Sequence, residues 1–249
     1  LDTEVLSACG ADLMSDILAD TKVSAVLLTG LTHRQIIQTA VMGDFVAITF
    51  VRGKIPPKDV IELARQAKVP LLKTNLPLYE TCGILYEAGL RQTHTKDVTS
   101  KPERAEEVES AQTMKLTYDI LGNDFNNAGK AAEQAKMVLK QIGIDPSVIR
   151  RVSIAAYEAE MNIVIHAHKG QLIFAITPAY IELIAEDQGP GIPDVQKALE
   201  EGYSTAPARI RELGFGAGMG LPNMKKFTDI FEIDSVIGKG TKVRIVINL

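Results

Sequence analysis

The rhythm of hydrophobic and polar positions changes twice along the chain. In the first third, short apolar runs alternate with segments whose apolar residues recur every three or four positions. Ala25 to Leu28 predicts a strand ending at Thr29-Gly30, and Arg34 to Met42 a helix with Ile36, Ile37, Ala40 and Val41 on one side. Phe45 to Val51 predicts a second strand, followed by Gly53 and Pro56-Pro57. Lys58 to Lys68 repeats the helical pattern through Val60, Ile61, Leu63 and Ala64. Pro70 to Leu72 predicts a third strand, Tyr79 to Ala88 a third helix, and Ala11 to Ala19 a leading helix. Strands separated by helices of about ten residues imply parallel pairing through right-handed crossovers. Residues 1–94 therefore read as a small α/β domain with parallel strands.

The periodicity then stops. Between Lys96 and Lys115, nine of 20 residues are charged, Pro102 interrupts and no aromatic occurs. Such a stretch buries little surface, so 95–113 reads as a charged linker, or as a solvated helix over Pro102 to Ala111 with Pro at its start and glutamates near the favourable end.

A different order follows. Leu116 to Ile120 predicts a strand, Ala128 to Ile142 an amphipathic helix, and Pro146 to His166 a longer one. Leu172 to Ile176 and Tyr180 to Glu186 predict two strands joined by a turn at Thr177-Pro178-Ala179. Asp194 to Leu199 predicts a short helix and Pro222 to Phe227 another. Ile230 to Val236 and Thr241 to Leu249 form a closing hairpin around Gly238-Lys239-Gly240. Helices grouped with mostly antiparallel strands make 114–249 an α/β sandwich of the α+β kind.

Composition narrows the function classes. With 27 basic and 31 acidic side chains, a net charge of −4 and no Trp, the chain lacks the basic face and stacking rings of a nucleic-acid binder. No apolar run approaches the ~18–20 residues of a membrane span. Leu1-Asp2-Thr3-Glu4 lacks the basic and apolar regions of a signal peptide. Two cysteines, Cys9 and Cys82, fit a reducing compartment and read as buried small side chains. The expectation is a cytoplasmic protein that binds neither nucleic acid nor membrane.

The candidate chemistry lies where glycine concentrates. Nine of the 19 glycines fall between Asp187 and Thr241, in three main clusters. Glu186-Asp187-Gln188-Gly189-Pro190-Gly191 follows a strand. It reads either as an Asx-type turn or as a carboxylate able to accept a hydrogen bond from an exocyclic amine such as that of adenine. Gly214-Phe215-Gly216-Ala217-Gly218-Met219-Gly220 opens a helix, where backbone N–H groups and the positive dipole end favour an anion. It is neither a Walker loop nor a dinucleotide fingerprint. Gly238-Lys239-Gly240-Thr241 reads by itself as a hairpin turn. Upstream, Glu158, Asn162 and His166 recur every four residues along one side of the long helix, while Val152, Ala155, Ala159 and Ile163 should face the sheet.

In their order, these motifs resemble the GHKL-type ATP-binding domain, or Bergerat fold. The resemblance is strongest to bacterial anti-sigma factor serine kinases. It rests on Tyr157-Glu158-Ala159-Glu160-Met161-Asn162, Ala185 to Ile192, Gly202-Tyr203-Ser204-Thr205, Gly218-Met219-Gly220-Leu221 and Gly238-Lys239-Gly240-Thr241. It implies a mostly antiparallel sheet with helices on one face, and ATP and Mg²⁺ as ligands. Asn162 is implied as the Mg²⁺ ligand and Asp187 as the acceptor of the adenine amine, with Gly189 and Gly191 closing over the base. Gly216, Gly218, Met219 and Gly220 would line the triphosphate, and Thr241 would add a hydrogen bond near the adenine. Residues 202–217 would form a mobile lid, with Arg209 and Arg211 as candidates for the terminal phosphate. Glu158 is implied as the catalytic base toward a protein serine hydroxyl. His166 reads as a packing residue near the site.

The resemblance implies a regulatory serine/threonine protein kinase acting on a small anti-sigma antagonist-like protein, or engaging a sigma factor. A homodimer is compatible with it. The alternative is an ATP-dependent switch module without phosphoryl transfer. A histidine kinase fits less well: no helix pair with a phosphoacceptor His precedes the domain, and His33-Arg34 lies in an α/β segment. Residues 1–94 resemble DRTGG-type regulatory domains in segment order at Leu28-Thr29-Gly30 and Phe50-Val51-Arg52-Gly53. The signature letters are absent, with Thr32-His33-Arg34 and Val51-Arg52-Gly53 in their places. A sensory or docking module is the expectation there.

Overall fold

The computed structural model describes residues 4–19, 24–90, 113–207, 210–211 and 215–249. The chain divides into two units, Leu1–Thr93 with Ser204–Met219, and His94–Tyr203 with Gly220–Leu249. The expected linker, 95–113, lies outside the described residues except for Thr113.

The first unit runs β1 (Ser7–Gly10), α1 (Met14–Ala19), β2 (Ala25–Thr29), α2 (Gln35–Met42), β3 (Ala47–Phe50), α3 (Lys58–Gln66), β4 (Leu71–Lys73) and α4 (Leu78–Glu87). Its four strands pair in parallel in chain order. The hydrophobic pattern does not predict β1, because Ser7-Ala8-Cys9-Gly10 has no branched or aromatic side chain. Pairing with β2, Ser7 to Ala25 through Gly10 to Leu28, makes it a strand. β3 is shorter than its apolar run because the backbone turns at both ends, with Asp44 at φ 55° and Arg52 at φ 59°.

Alternation splits this sheet into two faces. Cys9, Leu27, Ile48 and Phe50 pack with Ile17, Ile36, Ile37, Ala40, Val60 and Ala64 of the first three helices. Gly10 looks the other way: a Cβ there would lie 2.6 Å from Cys82 Sγ, so α4 covers the opposite face. Cys9 is buried and Cys82 half-buried, and both are free thiols.

The second unit runs β5 (Met114–Leu121), α5 (Lys130–Gln141), α6 (Pro146–His166), β6 (Lys169–Ile176), β7 (Tyr180–Asp187), α7 (Val195–Ala198), α8 (Gly220–Lys226), β8 (Ile230–Val236) and β9 (Gly240–Asn248). The strands form one antiparallel sheet in the order β5-β6-β7-β9-β8. This is the antiparallel sheet with helices expected of the GHKL fold.

Helix α6 starts where it does for local reasons. Asp145 accepts a hydrogen bond from the Ser147 N–H at 2.8 Å, and Pro146 takes the first helical position, where no N–H is needed. The helix lies across β5, β6, β7 and β9, with α5 and α8 alongside it. Val152, Ala155, Ala159 and Ile163 are buried, as their spacing requires, with Leu172, Phe174, Leu183 and Ile245 from the sheet. On the other face Arg244 bridges Glu182 at 2.6 Å and Glu232 at 3.1 Å, tying three strands together. Among the described residues no helix is long and apolar enough to cross a membrane.

Candidate functional site

Helix α6 presents Glu158 and Asn162 one turn apart on one side, and α8 begins beside them. A Cβ at Gly220, the first residue of α8, would lie 3.3 Å from both Glu158 Oε2 and Asn162 Oδ1. The two side chains thus border one small space that glycine leaves open at a helix start. Three residues on, Asn223 is buried and its Nδ2 donates to Glu158 Oε1 at 2.8 Å.

The far end of α8 is held as well. Arg151 Nε donates to the Phe227 carbonyl at 3.0 Å, and its guanidinium meets Asp229 at 2.9 Å. Since Asn223 meets Glu158 and Phe227 meets Arg151, α8 runs antiparallel to α6. A cation at the carbonyl end also suits the helix dipole.

A second cluster forms at the end of β7. Gly240, at the start of β9, has φ 126°, and a Cβ there would fall 2.0 Å from the Asp187 carbonyl oxygen and 3.1 Å from its Oδ1. Burial pushes the Asp187 carboxyl above the usual range, while the backbone N–H groups of Gly189 and Thr241 pull it back. The next loop is pinned by the hairpin. Ser235 Oγ accepts from the Ile192 N–H at 2.7 Å and lies 2.9 Å from Thr241 Oγ1, and the Gly238 N–H donates to the Pro190 carbonyl at 2.8 Å. Gly189 and Gly191 are therefore held between strand ends, which an isolated turn would not require.

The second unit thus brings together Glu158, Asn162 and Gly220, and separately Asp187, Gly189, Gly191 and Thr241. Gly216, Gly218 and Met219 belong to the segment grouped with the first unit. In that unit Phe215 is buried, its ring centroid 6.4 Å from that of His33 and tilted 40°. Burial holds the His33 imidazole below the usual histidine range, and the residue sits in the loop before α2. Arg209 lies outside the described residues; Arg211 is exposed.

His166 ends α6, where the chain leaves the helix at Ala167 in an extended conformation; the residue reaches the surface, yet surrounding protein desolvates its imidazole and holds it below the usual histidine range. Its carbonyl oxygen would lie 3.2 Å from a Gly189 Cβ, so its backbone is what faces the loop. Asn223 and Ser235 were not singled out by the sequence. Neither belongs to a recognisable spacing, and only the approach of α8 to α6 and of β8 to the Gly191 loop gives them partners.

Chemically, the first cluster combines a buried carboxylate, an amide oxygen able to ligate a hard cation, and a helix start without a side chain. The second combines a carboxylate at a strand end with close-packed backbone, suited to a planar hydrogen-bonding ligand.

Comparison with known proteins bears on the same part of the chain. The model of the histidine kinase-like ATPase domain matches residues 123–247. The serine/threonine-protein kinase RsbT of Bacillus subtilis is 35% identical over 120 residues, covering 47% of this chain and 84% of the relative. An anti-sigma F factor of Caldanaerobacter subterraneus is 36% identical over 110 residues, covering 41% and 72%. Another, of Clostridium beijerinckii, is 29% identical over 137 residues, covering 52% and 90%.

Proposed function

The chain belongs to the histidine kinase-like ATPase domain family, and from that premise we propose that its second unit binds Mg-ATP and phosphorylates a serine or threonine of a partner protein. The observation that carries this reading is the shared space bordered by Glu158, Asn162 and Gly220 at the start of α8.

In this reading Asp187 accepts the adenine amine, with Gly189, Gly191 and Thr241 around the base. Backbone N–H groups at the start of α8 face the phosphates. Asn162 Oδ1 is the ligand for Mg²⁺, which when bound neutralises phosphate charge. The donor set fits: a neutral amide oxygen lies beside a glycine that leaves the space open.

A Glu158 carboxylate oxygen accepts the proton as the partner's hydroxyl oxygen forms its bond to the γ-phosphorus, and the bond to the β–γ bridging oxygen breaks, releasing ADP. Asn223 holds Glu158 Oε1 in place for that transfer. A hydroxyl is a poor nucleophile, but positioning and charge stabilisation supply most of the acceleration in phosphoryl transfer.

The names of the relatives support a small regulatory protein or a sigma factor as partner, and the reading places the chain in the cytoplasm. Residues 1–94, with parallel strands in chain order, serve in this reading as the regulatory module, and 114–249 as the ATP-binding domain.

Two measurements test it. Calorimetric titration of Mg-ATP into the full chain should show binding that Asp187→Asn abolishes; no binding in the folded chain would overturn the reading. Phosphoproteomes of cells carrying the wild-type chain or Glu158→Ala should differ at a serine or threonine site on a small protein. Binding without any Glu158-dependent site would leave a switch module instead.

A further inference from the structure

Away from the Glu158 and Asp187 clusters, the outer edge of β5 borders a cleft of about 420 Å³. That falls within the ~300–1,000 Å³ of ordinary binding clefts. One wall is five consecutive residues, Thr117 to Leu121; the other carries Asp124, Asn127, Lys130 and Gln134 from α5 and the turn before it. Successive side chains of a strand point to opposite faces. Five in a row can line one cavity only if it runs along the edge of the strand, beside the backbone.

That edge is open to pairing. β5 ends the sheet order, with β6 as its neighbour on one side and no described strand on the other. The hydrogen-bond phase shows which backbone groups face outward. The Gly122 N–H donates to the His168 carbonyl at 2.9 Å while Leu121 lies opposite Lys169. In an antiparallel ladder this puts the bonds to β6 on even-numbered residues. The N–H and C=O groups of Lys115, Thr117, Asp119 and Leu121 therefore point away from the sheet.

The cleft is acidic. Asp119 accepts from the Gln171 amide at 2.7 Å and Asp124 from the Asn127 amide at 2.6 Å, both neutral donors. The Lys130 ammonium is turned to Asn127 Oδ1 at 2.6 Å. The N-terminal N–H groups of α5 are already taken: Glu160 accepts from Gly129, Ala131 and Ala132 at 2.8, 3.3 and 2.9 Å. The start of α5 therefore offers an anion no N–H of Gly129, Ala131 or Ala132, whereas a cation meets the Asp119 and Asp124 carboxylates.

We propose that the β5 edge docks an extended segment of a partner polypeptide as a sixth strand, with basic side chains of that segment against Asp119 and Asp124. Main-chain bonds to Thr117, Asp119 and Leu121 would supply affinity, and the acidic wall would select sequence. A strand groove walled by a helix matches this mode, and an edge of eight residues with no described strand beside it is a ready template for pairing. The inference does not depend on phosphoryl transfer.

The test uses the full chain and two synthetic peptides of alternating Thr and Val, one carrying Lys at every fourth position and the other Glu. Binding is read by calorimetry and by amide hydrogen exchange. The Lys peptide should bind about tenfold or more tighter than the Glu peptide, a difference of about 1.4 kcal/mol. It should slow exchange at Thr117, Asp119 and Leu121.

Thr117→Pro removes one outward N–H at an edge position where proline is tolerated, and should weaken binding by about tenfold. Asp119→Lys should reverse the peptide preference, and decides the matter if the proline variant melts early. Equal binding of the two peptides, binding of neither, or protection elsewhere would overturn the proposal. So would dimerisation of the chain that Thr117→Pro abolishes, which would assign the edge to a second copy.

Discussion

Asn223 Nδ2 donates to Glu158 Oε1 at 2.8 Å, joining two buried side chains that stand 65 positions apart in the chain. A buried carboxylate left without that donor would lose about 1–3 kcal/mol of hydrogen-bond satisfaction. Asn223→Ala should therefore lower stability by that order. It should reduce phosphoryl transfer by about ten- to a hundredfold, since a misplaced base costs rate more than binding. Mg-ATP affinity, measured by calorimetry on the same variant, should change less than the rate. An equal loss in both would make Asn223 a binding residue.

Gly220→Ala separates fold from function. The residue has no positive φ and stands at a helix start, so its backbone accepts alanine without strain. Its Cβ would nevertheless intrude to 3.3 Å from Glu158 Oε2 and Asn162 Oδ1. Thermal unfolding should show unchanged or slightly raised stability, while Mg-ATP affinity falls by about tenfold or more, the scale of a lost contact worth about 1.4 kcal/mol.

Gly240→Ala should do the reverse. At φ 126°, with Asp187 O only 2.0 Å from a Cβ, any side chain strains the hairpin and displaces the end of β7. A loss of about 3 kcal/mol or more is expected in urea unfolding, combining backbone strain with overpacking. Wild-type stability in this variant would show that the hairpin can move without cost.

Glu160 gives a pH signature. Burial raises its carboxyl from 4.5 to about 7, against the pull of the N–H groups of Ala132, Ala131 and Gly129. Between those values the folded state holds a proton that the unfolded chain has released. The contribution of Glu160 to stability therefore falls as pH rises through this window and is level above it. The stability difference between wild type and Glu160→Gln should shift by roughly 3 kcal/mol against the wild type from pH 4.5 to 7.5, at 1.36 kcal/mol per unit. Denaturant unfolding at several pH values measures it. A pH-independent difference would mean that the carboxyl titrates normally.

These residues show how far the sequence could be read. The spacing of Glu158 and Asn162 put both on one side of α6, and the glycine order supplied the resemblance that the family match at 123–247 bears out. Asn223 and Ser235 have partners set by the packing of separate segments, which no local pattern records. β1 escaped for a related reason: Ser7-Ala8-Cys9-Gly10 becomes a strand only through its register with β2.

The sequence by itself determined the element types apart from β1, the parallel pairing of the first unit, the antiparallel character of the second, and the motif that marks the family. The first three follow from periodicity and backbone preference, which act over a few neighbouring residues, and the last from resemblance. Tertiary structure alone decided that α8 runs antiparallel to α6 with Asn223 on Glu158, that Glu160 caps α5, and that β5 stands at the edge of its sheet. Each depends on which distant segment comes to lie alongside, and that is settled by packing a whole core rather than by any local stretch of chain.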